Sequence, residues 1–176
     1  MDCCVFCGVS LDGFIAREDG RIDWLDEMRE RFPPGEDAGF AAFYEHVDAI
    51  VMGRGTYESV AAFPEWPFDR RVIVLSRSEI EAVHPQVEVS SEAPKELVER
   101  LREEGLSKVY VDGGKVIHSF LQEGLIDQIT LTILPIVIGS GRPWTGVLPG
   151  DVKRALMDSR TFAFGAVQVR YRVDRF

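Results

Sequence analysis

The chain has 176 residues, of which 45% are hydrophobic and 28% are charged, and its formal net charge at pH 7 is −9. This length and balance predict one domain over residues 1–176 that can bury a sizeable core. The negative charge argues against nucleic acid and anionic membrane surfaces as partners, because both attract basic proteins.

The first residues predict neither a targeting segment nor a metal site. No basic segment precedes a long apolar run, so we expect no signal peptide and a cytoplasmic protein with reduced cysteines. Cys4 and Cys7 form a C-x-x-C within a predicted strand, Cys3–Val9, where positions 4 and 7 face opposite sides. No second cysteine pair completes a zinc site, so we expect no bound metal.

Strand-like and helix-like segments alternate along the rest of the chain. Further strands are predicted at 49–52, 72–75, 109–111 and 129–138, and helices at 22–31, 40–47, 56–63, 94–104 and 116–121. A closing antiparallel hairpin is predicted from Thr161–Phe164 and Val167–Val173 around Gly165. Alternating strands and helices imply crossover connections and a mostly parallel sheet.

Three predicted strands run directly into turns that could hold a ligand, since parallel sheets bind ligands beyond the carboxyl ends of their strands. The turns are Gly53-Arg54-Gly55-Thr56, Ser76-Arg77-Ser78 and Asp112-Gly113-Gly114-Lys115. Glycines let the backbone approach a ligand closely, and an arginine between two serines suits a phosphomonoester. Each turn taken singly is also compatible with an ordinary connection.

Taken together, these segments resemble a known family. Met52–Ser59, Leu75–Ser78 and Asp112–Val116 resemble the three NADPH-binding segments of the dihydrofolate reductase superfamily. Ser10–Ala16 and Gly139–Gly141 resemble the riboflavin-biosynthesis pyrimidine reductase (RibD C-terminal) domain and its stand-alone bacterial homologues. The resemblance implies a dihydrofolate-reductase-like α/β fold: a mostly parallel central sheet, a C-terminal antiparallel hairpin and helices on both faces.

The resemblance also implies that NADPH lies across the strand ends, with the pyrophosphate at the first turn and the 2′-phosphate at the second. The cofactor-binding residues that it implies are Ala16, Gly53, Arg54, Gly55, Thr56, Leu75, Ser76, Arg77, Ser78, Asp112, Gly113, Gly114, Lys115, Val116 and Ile117. In the family, a cis peptide bond often joins the paired glycines.

For catalysis, the resemblance directs attention to Asp37 and Thr132. Dihydrofolate reductases place a carboxylate at the start of the helix before the Gly-Arg motif, which falls on Asp37 here, and its partner threonine falls near Thr132. Asp37 is equally a candidate N-cap of that helix. Trp24 lies in a stretch that is longer than in compact dihydrofolate reductases and could line the substrate pocket, and Arg142 could hold a substrate phosphate.

The function expected from this resemblance is an NADPH-dependent reductase of a small heterocyclic substrate, similar to 5-amino-6-(5-phosphoribosylamino)uracil reductase. Dihydrofolate reductase itself is the first alternative, and a non-catalytic NADPH-binding module is the second. Phe162, Phe164 and Phe176 near the closing hairpin could form a homodimer interface, or they could belong to the core.

Overall fold

The structure is a computed structural model that describes residues 1–173. Its strands are β1 (Asp2–Val9), β2 (Phe14–Ala16), β3 (Ala49–Gly53), β4 (Arg71–Leu75), β5 (Val87–Ser90), β6 (Lys108–Asp112), β7 (Gln128–Ile133), β8 (Arg142–Pro143), β9 (Arg154–Thr161) and β10 (Val167–Val173). Its helices are α1 (Asp23–Arg29), α2 (Phe40–Tyr44), α3 (Arg54–Ala61), α4 (Pro94–Glu103) and α5 (Gly114–Gln122).

Eight strands form one sheet in the order β5-β4-β3-β6-β1-β7-β10-β9. The strands from β5 to β7 are parallel to one another, and β10 and β9 continue the sheet in antiparallel fashion. β2 and β8 form a separate two-stranded sheet. The expected fold class is confirmed: the central sheet is mostly parallel, and an antiparallel hairpin closes the chain.

Apolar side chains cover the central sheet from both faces. On one face, α4 and α5 pack through residues such as Leu97 and Phe120 against alternate residues of the parallel strands. On the other face, Phe40, Phe43 and Tyr57 of α2 and α3 pack against the intervening residues of β3, β4 and β6. A third cluster lies beside α1 and the turn of the closing hairpin; its buried members are Trp24, Met28, Ala38, Leu134, Phe162 and Ala166.

The structure corrects several predicted boundaries. β7 ends at Ile133 rather than residue 138, and the chain leaves the sheet just before Pro135, which has no N–H to donate to a neighbouring strand. The first strand of the hairpin is β9, Arg154–Thr161, so Phe162 and Phe164 lie in the turn and not in a strand. The sequence analysis did not predict β2, β5 or β8.

The structure distinguishes between the two alternatives, dimer interface and core, for the phenylalanines of the hairpin turn. Phe162 is buried and stacks on Phe164, which in turn stacks on Phe32. These rings therefore pack in the third core cluster beneath the hairpin turn, as the second of the two alternatives predicts. Phe176 lies outside the described residues.

Within residues 1–173, no helix has the combined length and apolar character needed to cross a membrane. In the same range, no three His, Cys, Asp or Glu side chains converge in a way that could hold a metal ion.

Candidate active site

The turns that follow β3 and β6 are in direct contact at the carboxyl edge of the sheet. A Cβ atom built on Gly113 would overlap the hydroxyl oxygen of Thr56, and one built on Gly53 would lie 3.1 Å from the Val116 side chain. Gly113 also has a φ of +87°, a backbone conformation that residues with a Cβ atom rarely adopt. Glycine at position 113 is therefore required both by space and by backbone conformation.

Two helices begin at this junction without a side-chain cap. α3 starts at Arg54 and α5 at Gly114, and neither helix has a side-chain cap that accepts a hydrogen bond from its first amides. The first N–H groups of a helix have no partner inside the helix and carry the positive end of its dipole. Two such helix starts, on neighbouring strands, can together hold an anionic group.

The first residues of α5 lie partly at the carboxyl edge of the sheet and partly in the core. Lys115 is exposed beside the start of α5, whereas the side chains of Val116 and Ile117 are buried against the sheet. The amides of Val116 and Ile117 both donate to the Gly113 carbonyl. The peptide bond between Gly113 and Gly114 is trans, so the cis bond that the resemblance implied is wrong.

The small sheet of β2 and β8 packs over this edge. Ala16 pairs with Arg142, and a Cβ on Gly114 would touch both the Pro143 carbonyl and the Ile15 side chain. The loop before β2 is fixed to the loop before β8, because the Asp12 carboxylate accepts hydrogen bonds from the amides of Ile138 and Gly139 and from a neighbouring hydroxyl. We call β2, β8 and the loops preceding each of them the lid.

The lid brings Arg142 to the start of α3. An Arg142 guanidinium nitrogen lies 3.7 Å from a Cβ built on Gly55, and its Nε donates to the Glu18 carbonyl at 3.1 Å. Arg54 instead extends along its own helix and pairs with Glu58 at 2.6 Å. Within residues 1–173 Arg142 makes no ion pair, so its charge near the helix start is not neutralised by a carboxylate. Arg142, expected on the substrate side, thus lies by the turn expected to hold pyrophosphate.

The turn after β4 lies one strand further out. The Ser76 hydroxyl donates to the Ser78 carbonyl and accepts a hydrogen bond from the Ser78 amide, which closes a tight turn around Arg77. Arg77 is exposed and makes no ion pair with any described residue. Leu75 ends the strand half-buried against the core and supplies packing rather than a polar group.

Asp112 ends the central strand β6 with its carboxyl group turned back onto the chain. One of its oxygens accepts a hydrogen bond from the Gly113 amide at 2.8 Å. Burial raises the pKa of the Asp112 carboxyl above its ordinary value, and the Gly113 hydrogen bond opposes this effect. Asp112 is therefore a carboxyl group with an elevated proton affinity at the edge of the site.

Gln168, on β10, joins two predicted elements of the site. Its amide nitrogen donates to the Thr132 hydroxyl oxygen and to the Ala38 carbonyl, both at 2.8 Å. The carboxylate of Asp37 is exposed and accepts hydrogen bonds from the amides of Gly39 and Ala41 at 2.8 and 2.7 Å. The N-cap residue of α2 is Gly39 rather than Asp37, but the Asp37 carboxylate still binds amides at the start of the helix and is engaged there rather than with Thr132.

The turn before α2 is strained. Ala38 has a φ of +57° and is the one residue other than glycine with a positive φ in residues 1–173. This conformation costs roughly 1–3 kcal/mol, and such strain is typical of functional sites. The amide of Ala38 donates to the Glu36 carboxylate at 2.7 Å, so hydrogen bonds on both sides of Ala38 hold the turn in place.

Gly8 lies beside Thr132 and adds no side chain to the sheet at this point, where the side chains of Leu25 and Leu134 cover its backbone. The two residues are paired across β1 and β7, and a Cβ on Gly8 would lie 3.3 Å from the Leu25 side chain. Trp24, the neighbour of Leu25, has no exposed surface and packs in the third core cluster. Trp24, which was expected to line the substrate pocket, is therefore a core residue, and the residues that lie together here are Gly8, Leu25 and Thr132.

The sequence analysis missed Gln168, because a single glutamine in a strand carries no motif. An open recess at the opposite, amino-terminal edge of the sheet includes Asp48, Arg70 and Lys108. That recess mixes charges of both signs, and it lies away from the strand ends where the turns and the lid meet.

A model of the RibD C-terminal domain family matches residues 3–167. Two proteins of Bacillus subtilis (strain 168), both described as uncharacterized, are similar to this chain. YwjB is 36% identical over 171 residues, covering 95% of each chain, and YyaP is 27% identical over 179 residues, covering 93% of this chain and 90% of its own length.

Solved structures agree with this similarity. A putative riboflavin biosynthesis protein from Shewanella sp. PV-4 superposes with a TM-score of 0.92 and 34% identity, covering 99% of this chain and all of that one. A deaminase/5-amino-6-(5-phosphoribosylamino)uracil reductase from Thermotoga maritima superposes with a TM-score of 0.72 and 19% identity, covering 98% of this chain and 56% of that one. The second likeness shows a shared fold.

Proposed function

This chain belongs to the RibD C-terminal domain family, and from that premise we propose that it is an NADPH-dependent reductase of a small heterocyclic substrate similar to 5-amino-6-(5-phosphoribosylamino)uracil. The observation that carries the proposal is the junction of two uncapped helix starts, α3 and α5, at adjacent strand ends. Such a junction suits the pyrophosphate of a dinucleotide even in an acidic protein.

The residues of this edge fit the cofactor. Gly53, Gly55 and the start of α3 would hold the pyrophosphate, and a side chain at Gly113 would close the space beside Thr56. Ser76, Arg77 and Ser78 would hold the 2′-phosphate, since an arginine fork pairs with phosphate in bidentate fashion. NADPH would supply a hydride, and the protein would orient the substrate and manage the proton.

The first experiment compares NADPH and NADH binding in Arg77→Ala, by fluorescence titration. Losing one charge-assisted bond to the 2′-phosphate should weaken NADPH about 10–100-fold and leave NADH within about twofold. Arg102→Ala removes an equal charge from an exposed position on helix α4 and serves as the matched control. Equal losses for both nucleotides would refute the 2′-phosphate assignment, and no NADPH binding by the unmodified protein would refute the proposed function.

Arg142 is assigned to the cofactor side, as a partner of the pyrophosphate. Arg142→Ala should weaken NADPH and NADH alike, about 10–100-fold, because both contain that group. Arg54→Ala is the matched control and should change binding less than about threefold, since Arg54 is already paired with Glu58. If Arg142→Ala raises only the substrate KM, then Arg142 holds a substrate phosphate, as the sequence analysis expected.

Turnover is tested by NADPH oxidation with 5-amino-6-(5-phosphoribosylamino)uracil and dihydrofolate in parallel. We expect oxidation with the aminopyrimidine and none with dihydrofolate, because the Asp37 carboxylate is bound to the first amides of α2. Faster oxidation with dihydrofolate would favour a folate reductase. Tight NADPH binding without turnover of either compound would favour a non-catalytic binding module.

We also propose a homodimer, formed through β9 and β10 rather than through the phenylalanines of the turn. Leu156 is 57% exposed and pairs with Tyr171, and Val167 is 40% exposed on the adjoining strand. Leu156→Glu should shift sedimentation velocity toward the monomer, since burying an unpaired charge in an interface is costly. Val147→Glu, at a residue 92% exposed outside the hairpin, is the control and should sediment like the unmodified protein.

A further inference from the structure

The hydrogen bonds of Gln168 fix the direction of the Thr132 hydroxyl. The Ala38 carbonyl can only accept, so the side-chain atom of Gln168 that faces it must be the amide nitrogen. The same nitrogen lies 2.8 Å from the Thr132 oxygen, which therefore accepts the second amide hydrogen. The hydroxyl hydrogen of Thr132 is then left to be donated elsewhere.

The surroundings of Thr132 make that hydrogen a selective donor. Thr132 is 4% exposed, and its cross-strand neighbour Gly8 presents only backbone, beneath the Leu25 side chain. An unpaired donor in apolar surroundings is costly, so a ligand that offers an acceptor is favoured over one that does not. The Thr132 hydroxyl is thus a polar group beside Gly8, whose backbone lies under the apolar side chains of Leu25 and Leu134.

The turn before α2 keeps the nearby carboxylate away from this point. Asp37 binds the amides of Gly39 and Ala41, and the strained Ala38 is clamped between Glu36 and Gln168. Arg160 on β9 pairs with Glu36 at 3.2 Å, so the closing hairpin anchors the turn through two residues, Arg160 and Gln168. The two residues paired with Thr132 across the sheet, Gly8 and Gln168, carry no charge.

We propose that Gln168 is a positioning residue that holds the Thr132 hydroxyl as a donor toward a neutral acceptor, such as a ring carbonyl, on the substrate. The inference rests on the proposed function and names its substrate class: a heterocycle that is recognised at this point as a neutral acceptor and is not protonated there by a carboxylate. The uracil ring of 5-amino-6-(5-phosphoribosylamino)uracil offers carbonyl oxygens of this kind.

The test measures kcat and KM for 5-amino-6-(5-phosphoribosylamino)uracil in Gln168→Leu, Thr132→Val and their combination. Each single variant should lose about 10–100-fold in kcat/KM, and the double variant should lose little more than either, since the two side chains act as one unit. Thr132→Ser retains the hydroxyl and should restore activity to within about threefold. NADPH affinity should stay within about twofold in all four proteins.

Gln168→Glu provides a readout that a purely structural role would not give. A carboxylate at this position accepts the Thr132 hydrogen instead of donating to its oxygen, so the hydroxyl is turned away from the substrate. The kcat/KM of this variant should therefore be low at neutral pH and rise at lower pH, as the introduced carboxyl is protonated. The kcat/KM of the parent protein should show no such rise.

Distinct results separate the failure of this inference from failure of the proposed function. Folded variants, verified by circular dichroism and thermal unfolding, that retain full kcat/KM would overturn the role of Gln168, as would fully additive losses in the double variant. Failure of the unmodified protein to bind NADPH would overturn the proposed function. NADPH binding without calorimetric binding of the aminopyrimidine would overturn the substrate class and leave the cofactor assignment standing.

Discussion

Substituting Gly113 tests the junction on which the cofactor site depends. In Gly113→Ala the backbone must keep a φ of +87° with a side chain present, and the new Cβ must displace the Thr56 hydroxyl. The backbone conformation costs about 1–3 kcal/mol. Overpacking adds about 1–3 kcal/mol, so the loss in the free energy of unfolding should total about 2–6 kcal/mol.

Gly105→Ala isolates the backbone contribution. Gly105 has the same φ of +87°, but no atom lies within 4 Å of its built Cβ. Its loss should therefore stay near about 1–3 kcal/mol. For a domain of this size, each kcal/mol lowers Tm by about 2–4 °C, so Gly113→Ala should melt at a distinctly lower temperature than Gly105→Ala.

A double-mutant cycle with Thr56 assigns the difference to the contact. Thr56→Ala removes the overlapping oxygen and should recover about 1–2 kcal/mol in the Gly113→Ala background. Thr56→Val retains an atom at that place and should recover none. Urea unfolding followed by tryptophan fluorescence measures the four single variants and the two double variants. Equal stability of Gly113→Ala and Gly105→Ala, or equal effects of Thr56→Ala and Thr56→Val, would show that the two turns are not in contact.

Three further predictions concern charged groups. Burial raises the pKa of Asp112, so ionising this carboxyl in the folded protein costs stability once pH rises above its unfolded-state pKa of about 4. In thermal unfolding, Asp112→Asn should therefore gain in Tm relative to the parent as pH is raised from that value. Arg100 lowers the pKa of Glu92 to about 2, so the parent protein loses this stabilisation as pH falls from 4.5 toward 2. In the same assay, the Tm of Arg100→Met should fall less steeply than that of the parent over this pH range. Asp12→Ala removes the acceptor that joins the two lid loops, and it should increase amide hydrogen exchange at Gly139 and weaken NADPH binding.

Much of the sheet could be predicted because its central strands are short apolar runs that end in glycine or polar turns. The runs at 49–52, 72–75 and 109–111 all became strands with bounds shifted by about one residue at either end. β5 was missed because Val87–Ser90 alternates apolar and polar residues over only four positions. β9 was missed because Arg154–Thr161 is mostly exposed, and a strand without a buried face shows no hydrophobic period.

The candidate site was predictable only where local chemistry marks it. Paired glycines and a serine-flanked arginine are visible in a single stretch of sequence. Gln168 carries no such mark, and the sequence pointed to Arg142 without showing that it lies at the start of α3. Both residues gain their positions from partners far away in the chain: Arg142 reaches Glu18 across 124 residues, and Gln168 reaches Ala38 across 130. The direction of the Asp37 carboxylate was equally hidden, since both interpretations of that residue place it at the start of the same helix.

An acidic chain can offer an anion site where some of its arginines are left without a carboxylate partner. Arg54 pairs with Glu58, and Arg100 is held by three glutamates, whereas Arg77 and Arg142 make no ion pair within residues 1–173. A net charge of −9 opposes phosphate at long range, but solvent and salt screen distant charges over about 8–10 Å. The potential at the strand ends is therefore set by the two helix starts and by these two arginines. Adding a carboxylate beside Arg142 should weaken NADPH more than adding several on the far edge of the sheet.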